Sequence, residues 1–443
     1  MTTAVATEAR AFAVWFKDLH RWDCGFYKKV AWQWPHESLH PVGSVLHRKE
    51  IEVSSTTEKK GIPIIEKITF GGRVSVSDPE ERIGYKGRLF WANRGDLIYS
   101  KIRVKQGSLA IVPDEFESLA VSSEYPVYSI DNQLVNSTYL ALVLKSSSFL
   151  SLFGSLSHGG STKTRIPPAE FERQLVPLPP LNEQRAIVSH WREAQELVEQ
   201  AQSDLFASSQ RLDVALHKIT NFQPLQTPML TLNWPNLERW DVKSARAAAF
   251  QLANPTFLPL SEYAEEAREM VKPWEEPDKE WPVYGVNNKE GVFFSHFQKG
   301  SEFNAPYKRI RKNWFFHNPT RSSVGSLGIV PGVPEDAITS PEYQVWRLRP
   351  GSKWEPEFVA ALVRTTWFVK LIQVHRVGAV KQRLYIENLL AMPMPTVSQA
   401  IRRQAADQRV AALLKIADAR RAAEIANREV EALILGSMKV SEL

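Results

Sequence analysis

Side chains suited to gripping a polyanion lie in matching segments of this sequence. Lys163, Thr164 and Arg165 close a glycine-containing loop, Gly159-Gly160-Ser161-Thr162-Lys163-Thr164-Arg165-Ile166. Lys381, Gln382 and Arg383 stand 218 residues further on, ahead of Leu384. Lys101, Arg103 and Lys105 alternate, which predicts that all three share one strand face. Lys308, Arg309, Arg311 and Lys312, followed by Arg321, form a further basic set. Arginine, lysine and glutamine on loops can meet base edges, and any well-placed cation can meet a phosphate. A lone surface lysine or arginine is ordinarily a solvated charge. Matched placement of the glycine-loop residues makes them the stronger DNA-binding candidates.

No pattern for catalysis emerges beside them. Asn254-Pro255-Thr256-Phe257 approximates an adenine-positioning Asn-Pro-Pro-Phe motif but lacks the second proline, and no glycine-rich S-adenosylmethionine loop after a strand precedes it. Pro113-Asp114 and Pro277-Asp278 lack the Glu-x-Lys strand that a metal-dependent nuclease would place behind them. His36 and His40 have helical spacing but no third ligand nearby, and the single cysteine, Cys24, rules out a disulfide framework and a cysteine-based zinc site. No phosphate-binding Gly-x-x-x-x-Gly-Lys loop is present. The expectation is a non-catalytic chain without a metal or cofactor of its own.

The elements that must position the basic residues occur twice. Gly107-Ser108-Leu109-Ala110-Ile111-Val112-Pro113 recurs as Gly325-Ser326-Leu327-Gly328-Ile329-Val330-Pro331, again 218 residues on. Arg21-Trp22-Asp23 and Arg239-Trp240-Asp241 keep that offset, as do Ser122-Ser123-Glu124-Tyr125 and Ser340-Pro341-Glu342-Tyr343. Several ordered matches at one offset indicate tandem duplication. Each copy reads as short β-rich stretches, a strand carrying the Gly-Ser-Leu signature, a helix (about 137–152 and 356–373), a basic loop and a proline-rich exit. The Arg-Trp-Asp segments read as structural anchors around a buried tryptophan. Trp32, Trp34, Trp274, Trp281 and Trp314 are expected mostly in cores rather than stacked on bases.

Each copy then enters a long heptad-patterned helix. Trp191, Val198, Leu205, Leu212 and Ile219 recur every seven residues, with Ile187, Ala194, Ala201, Ser208 and Ala215 four residues before each, and Asn182 is the expected N-cap. The second seam comprises Ala412, Ala419, Ala426 and Leu433 with Ile416, Ala423 and Val430. Small residues permit close approach, so the two helices are expected to pair antiparallel. The resulting organisation is α+β: a first globular domain over 1–181, a central helix over 182–222, a second globular domain over 223–396 and a C-terminal helix over 397–437, with pseudo-two-fold symmetry. The 443 residues carry 55 Lys+Arg against 49 Asp+Glu, a net +6 that permits a polyanion partner without demanding one. No stretch has membrane-span length and the start lacks a signal-peptide pattern, so a cytoplasmic location and no membrane association are expected.

The twin Arg-Trp-Asp openings, the twin basic loops and the string Pro177-Leu178-Pro179-Pro180-Leu181-Asn182-Glu183-Gln184-Arg185-Ala186-Ile187 resemble the specificity subunits of type I restriction–modification systems. The resemblance runs the length of the chain, although the second exit, Leu390 to Val397, lacks the Pro-Pro-Leu-x-Glu-Gln string. It implies that the two globular domains are target-recognition domains and the two long helices spacers. The chain would then read bipartite double-stranded DNA, one half-site per domain, with the gap set by the helices. It also implies two modification subunits that bind S-adenosylmethionine and methylate adenine N6, and restriction subunits that translocate DNA. Two alternatives keep the architecture: a specificity subunit of another phage-defence complex, and a protein-binding scaffold.

Overall fold

A computed structural model describes residues 30–53, 62–77, 87–155, 165–226, 229–233, 235, 239–378 and 380–443. The chain divides into two units, 1–196 with 421–443, and 197–420.

In the first unit an antiparallel sheet runs in the order Leu46–Lys49, Val127–Ile130, Leu97–Tyr99, Leu109–Ile111. A second sheet, Val74–Ser77, Ile64–Ile68, Ser118–Ser122, Leu89–Asn93, contains one parallel pairing, Ile64 with Ala120. Leu39–Pro41 and Leu175–Pro177 close the unit as a two-stranded ribbon. The core under the first sheet is aromatic; the Tyr99 and Phe171 rings stack at 4.4 Å.

The second unit repeats this plan. Its sheets run Ala264–Glu266, Gln344–Leu348, Phe315–His317, Leu327–Ile329, and Met270–Val271, Tyr307–Arg309, Ile338–Thr339, Glu280–Asn287, Gly291–Lys299, with Leu258–Pro259 against Pro393–Met394 as the ribbon. The offset survives at the level of register: Leu97 pairs with Tyr128, and Phe315 with Trp346. Even the added strand Met270–Val271, where Met270 faces Lys308, marks the position at which the first unit keeps a single bridge, Glu52 to Phe90.

The helix expected after the last strand is two helices in each unit, Ser137–Lys145 then Ser147–Ser155, and Pro356–Leu362 then Thr366–His375. The reason is local capping. The Ser146 hydroxyl accepts from Phe149 N at 3.3 Å and that of Thr365 from Phe368 N at 3.2 Å, so each starts a new helix where the sequence pattern suggests continuation.

The central helix spans Leu181–Ile219 and the C-terminal helix Gln399–Leu435. The first begins one residue before the expected cap Asn182. Within the first unit His190 Nε2 lies 2.8 Å from Glu429 Oε2. Within the second, Lys415 Nζ meets Asp204 at 3.0 Å and Arg211 Nε donates to Gln408 at 3.0 Å. Each pair follows the same antiparallel register. The buried seam is small, Ala194, Ala201, Ser208, Ala412, Ala423 and Ala426, with Ile416 at the middle of its helix and Leu212, Val430 and Leu433 towards the ends. Close approach at these small residues leaves Trp191, Val198 and Leu205 half-buried at the flanks. Ile219, expected in the seam, is 41% exposed because the helix ends there. Gly436, at φ 82°, stops the C-terminal helix in a left-handed turn.

Candidate nucleic-acid interface

Lys101, Arg103 and Lys105 do not share a strand face. The strand Leu97–Tyr99 ends before them, and the chain turns through a 3₁₀ helix, Val104–Gln106, into Gly107 at φ 87°. The second unit makes the same turn through Ser322–Val324 and Gly325 at φ 85°. A Cβ at Gly107 would lie 2.6 Å from Phe70 O, and the positive φ independently disfavours any other residue. The turn puts Arg103 and Arg321 at equivalent, exposed positions immediately before the 3₁₀ helix. Lys101 is spent locally, its Nζ donating to Ser123 O at 2.6 Å. Lys105 is exposed on the 3₁₀ turn.

The end of each basic loop is fastened to this turn. Ile166 N donates to Lys101 O at 2.9 Å, and Leu384 N to Pro319 O at 2.9 Å. Beneath them, the Tyr99 hydroxyl donates to Ile166 O at 3.2 Å and His317 Nε2 to Leu384 O at 2.9 Å. Arg103 and Arg165 therefore flank one backbone junction, and Arg321 and Arg383 its counterpart. Arg165 makes a two-pronged contact with Glu124, at 3.0 and 3.3 Å, and stays exposed. Lys163 and Thr164 lie outside the described residues. In the second unit Lys381 is exposed, while Arg383 and Val377 exchange backbone hydrogen bonds at 2.8 Å each.

Three positioning cations were not singled out by sequence pattern. Arg376 donates to Ser323 Oγ at 2.7 Å, to Thr320 O at 3.3 Å and to Gln382 O at 2.7 Å, tying the basic loop to the turn. Lys145 Nζ donates to Gly71 O at 3.3 Å, and Arg364 to Asn288 O at 2.9 Å and Gly325 O at 3.3 Å, so each holds the tip of its unit's hairpin. Burial lowers the pKa of both Lys145 and Arg364. Their signal is weak in sequence, since each is one basic residue at the end of an apolar helix.

The structure does not bring Lys308, Arg309, Arg311 and Lys312 to this place. They belong to the strand Tyr307–Arg309 and the turn after it, and Arg311 and Lys312 stand at the opposite end of Phe315–His317 from Arg321. Lys308 Nζ donates to Tyr343 O at 2.7 Å, and burial lowers its pKa. Arg309 donates to Glu335 O at 2.9 Å and lies over the Trp281 ring. Arg311 is paired with Glu269 at 2.8 Å, which raises its pKa, and Lys312 is exposed.

The Arg-Trp-Asp expectation needs correcting. Trp240 is 79% exposed. The anchor is Asp241, which accepts from Lys243 N and Ser244 N, both at 2.9 Å, to cap the helix Val242–Ala253, and which pairs with Arg239 at 3.2 Å. The copy at 21–23 lies outside the described residues. Trp281 and Trp314 are buried as expected, Trp32 and Trp34 half-buried, and Trp274 is exposed. Asn254 is buried and engaged with Asn221 N, Asn221 O and Phe250 O, so its amide serves the fold. Among the described residues no three His, Cys, Asp or Glu side chains cluster as a metal site, and no helix is long and apolar enough to cross a membrane.

The chain is similar to several known proteins. The specificity subunit of the type I restriction enzyme EcoAI from Escherichia coli is 28% identical over 184 residues, 40% of this chain and 31% of that protein. The chain thus spans about a third of that relative's length. Two solved structures show low-level likeness over most of the chain. The HsdS subunit from Thermoanaerobacter tengcongensis is 14% identical, with a TM-score of 0.34 over 91% of this chain and 97% of that one. The type I restriction-modification S subunit from M. genitalium is 12% identical, with a TM-score of 0.43 over 92% and 98%. Residues 44–191 match the type I restriction modification DNA specificity domain, a span covering the turn, the basic loop and the helix entry just described. The chain carries a type I restriction modification DNA specificity domain in its first unit, and the second unit repeats that unit's strand plan.

Proposed function

We propose that this chain is the DNA-recognition subunit of a type I restriction–modification complex, reading a bipartite target with one half-site per unit. The observation that carries this reading is the duplicated junction of turn and basic loop, which presents Arg103 and Arg165 in one copy and Arg321 and Arg383 in the other. Two copies in one chain can diverge and read different sequences, whereas a homodimer is bound to a palindrome. Cations so placed meet phosphates first, and the neighbouring loop residues then reach base edges. Lys381 and Gln382 supply such groups in the second unit, and the matching loop sequence offers Lys163 and Thr164 in the first.

Chemistry is assigned to partners. Two modification subunits would bind S-adenosylmethionine and methylate adenine N6, and restriction subunits would translocate and cleave, all in the cytoplasm. The paired helices act as the spacer: 39 residues at about 1.5 Å each span roughly 58 Å, against the roughly 34–36 Å between successive groove faces. Expression with a modification subunit in a host lacking adenine methylation, followed by genome-wide mapping of modified bases, tests the proposal. One bipartite motif that vanishes when this chain is omitted supports it; a soluble complex that modifies nothing refutes it.

A further inference from the structure

We infer that Tyr99 and His317 are equivalent positioning residues, each holding the basic loop of its unit through the carbonyl that follows the loop arginine. The inference rests on the DNA-reading function proposed above. Both residues close equivalent strands, 218 positions apart, and both are fully buried. Their side chains share almost nothing except a donor. The phenol reaches Ile166 O at 3.2 Å and the imidazole reaches Leu384 O at 2.9 Å. Ile166 and Leu384 also give their N–H groups to the turn. The residue after each arginine is therefore held at both backbone polar groups, which fixes where Arg165 and Arg383 leave the surface.

Core filling alone does not explain this choice. Tyr99 stacks on Phe171, and His317 lies in a strand whose neighbours are Phe315 and Phe316, so phenylalanine would fill either place. His317 is also costly. Its Nδ1 has no hydrogen-bond partner among the described residues, and a buried unsatisfied nitrogen is destabilising. Because Leu384 O can only accept, Nε2 must carry the proton. Burial pushes the imidazole down to about 4, so the ring is neutral and keeps that proton near neutral pH.

The test uses the full chain with its modification subunit, in four variants: Tyr99→Phe, His317→Phe, and the exchanges Tyr99→His and His317→Tyr. Hydrogen exchange reads the loop directly. Loss of one neutral hydrogen bond should speed exchange of the amides around Leu384 in His317→Phe, and around Ile166 in Tyr99→Phe, by roughly three- to tenfold. The exchanged donors should restore protection. Selection from a randomised duplex library reads the consequence: each phenylalanine variant should lose discrimination at its own half-site by a similar factor and keep the other. Unchanged exchange in both phenylalanine variants overturns the inference, as does faster exchange with both half-sites still read normally. Should His317→Phe fail to fold, Tyr99→Phe, which keeps ring and packing, decides alone. If the unaltered complex selects no duplex, the DNA-reading proposal falls, and the exchange data alone still decide whether the tether exists.

Discussion

Gln184 and Arg402 stand at equivalent positions in the two long helices and fasten them to equivalent carbonyls, Pro179 O and Val397 O, each at 2.7 Å. Gln184 is fully buried; its Oε1 also accepts from Asn136 N at 2.7 Å and its Nε2 donates to Leu134 O at 3.2 Å. Arg402 instead faces Glu355 at 3.7 Å, across from the start of the helix Pro356–Leu362. One residue thus locks a helix entry to the start of another helix in both units, with an amide in one and a cation in the other. This explains how the second exit can lack the Pro-Pro-Leu-x-Glu-Gln string and keep the same geometry.

Gln184→Leu should therefore be among the more damaging substitutions in the first unit. It leaves Asn136 N, Leu134 O and Pro179 O without this partner around a fully buried position, and an unsatisfied buried group costs about 1–3 kcal/mol before relaxation. Denaturant unfolding should show a net loss of about 2–4 kcal/mol. A loss below about 0.5 kcal/mol, the level of an ordinary surface substitution, would mean water reaches the site and the lock is weak.

Arg165→Ala and Arg383→Ala separate the half-sites. Each should weaken binding by about 1–3 kcal/mol if the arginine meets a base, or reduce the salt slope by about one if it meets a phosphate. The Arg165–Glu124 pair is exposed, so its contribution to folding should stay within about 1 kcal/mol. Binding titrations at several salt concentrations, on duplexes altered in one half-site at a time, distinguish the two roles. Equal loss at both half-sites from one substitution would contradict a modular reader.

The duplication, the fold class and the two long helices were legible because anchor strings and heptads survive divergence. What failed has local causes. The alternation of Lys101, Arg103 and Lys105 imitates a strand, but Gly107 in the left-handed region requires a turn there. The Arg-Trp-Asp pattern suggests a buried Trp240, although the capping geometry belongs to Asp241. Tyr99 and His317 could not be matched by type, since only the direction of their donors is shared. The basic residues at 308–312 look contiguous with Arg321 along the chain, yet an intervening strand separates them.

Acid should destabilise the second unit through two buried imidazoles. Burial lowers His317 to about 4, and burial then Arg239 lower His375 to about 4. The unfolded chain holds each near the usual 6.5, so unfolding takes up protons between those values. The stability both contribute is complete above about pH 6.5 and is lost as pH falls towards 4, by at most about 3 kcal/mol per histidine. Unfolding free energies measured between pH 7.5 and 4.5 should fall with a slope approaching two protons. A slope that is unchanged in His317→Tyr would show that this imidazole is not the titrating group.

The register of the paired helices makes the spacer proposal sharp. His190 faces Glu429 in one unit, and Asp204 faces Lys415 in the other, so residues added to one helix need equal residues opposite. Seven residues inserted near 199 together with seven near 419 would preserve the heptad seam, lengthen the pair by roughly 10 Å and rotate each helix almost evenly. Methylation mapping should then show both half-site sequences unchanged and a gap longer by about three base pairs, at roughly 3.4 Å per base pair. Seven residues in the central helix alone would set Ala194 and Ser208 against the wrong partners, and modification should fall without a new gap appearing. An unchanged gap in the double insertion would remove the helices from any role in spacing.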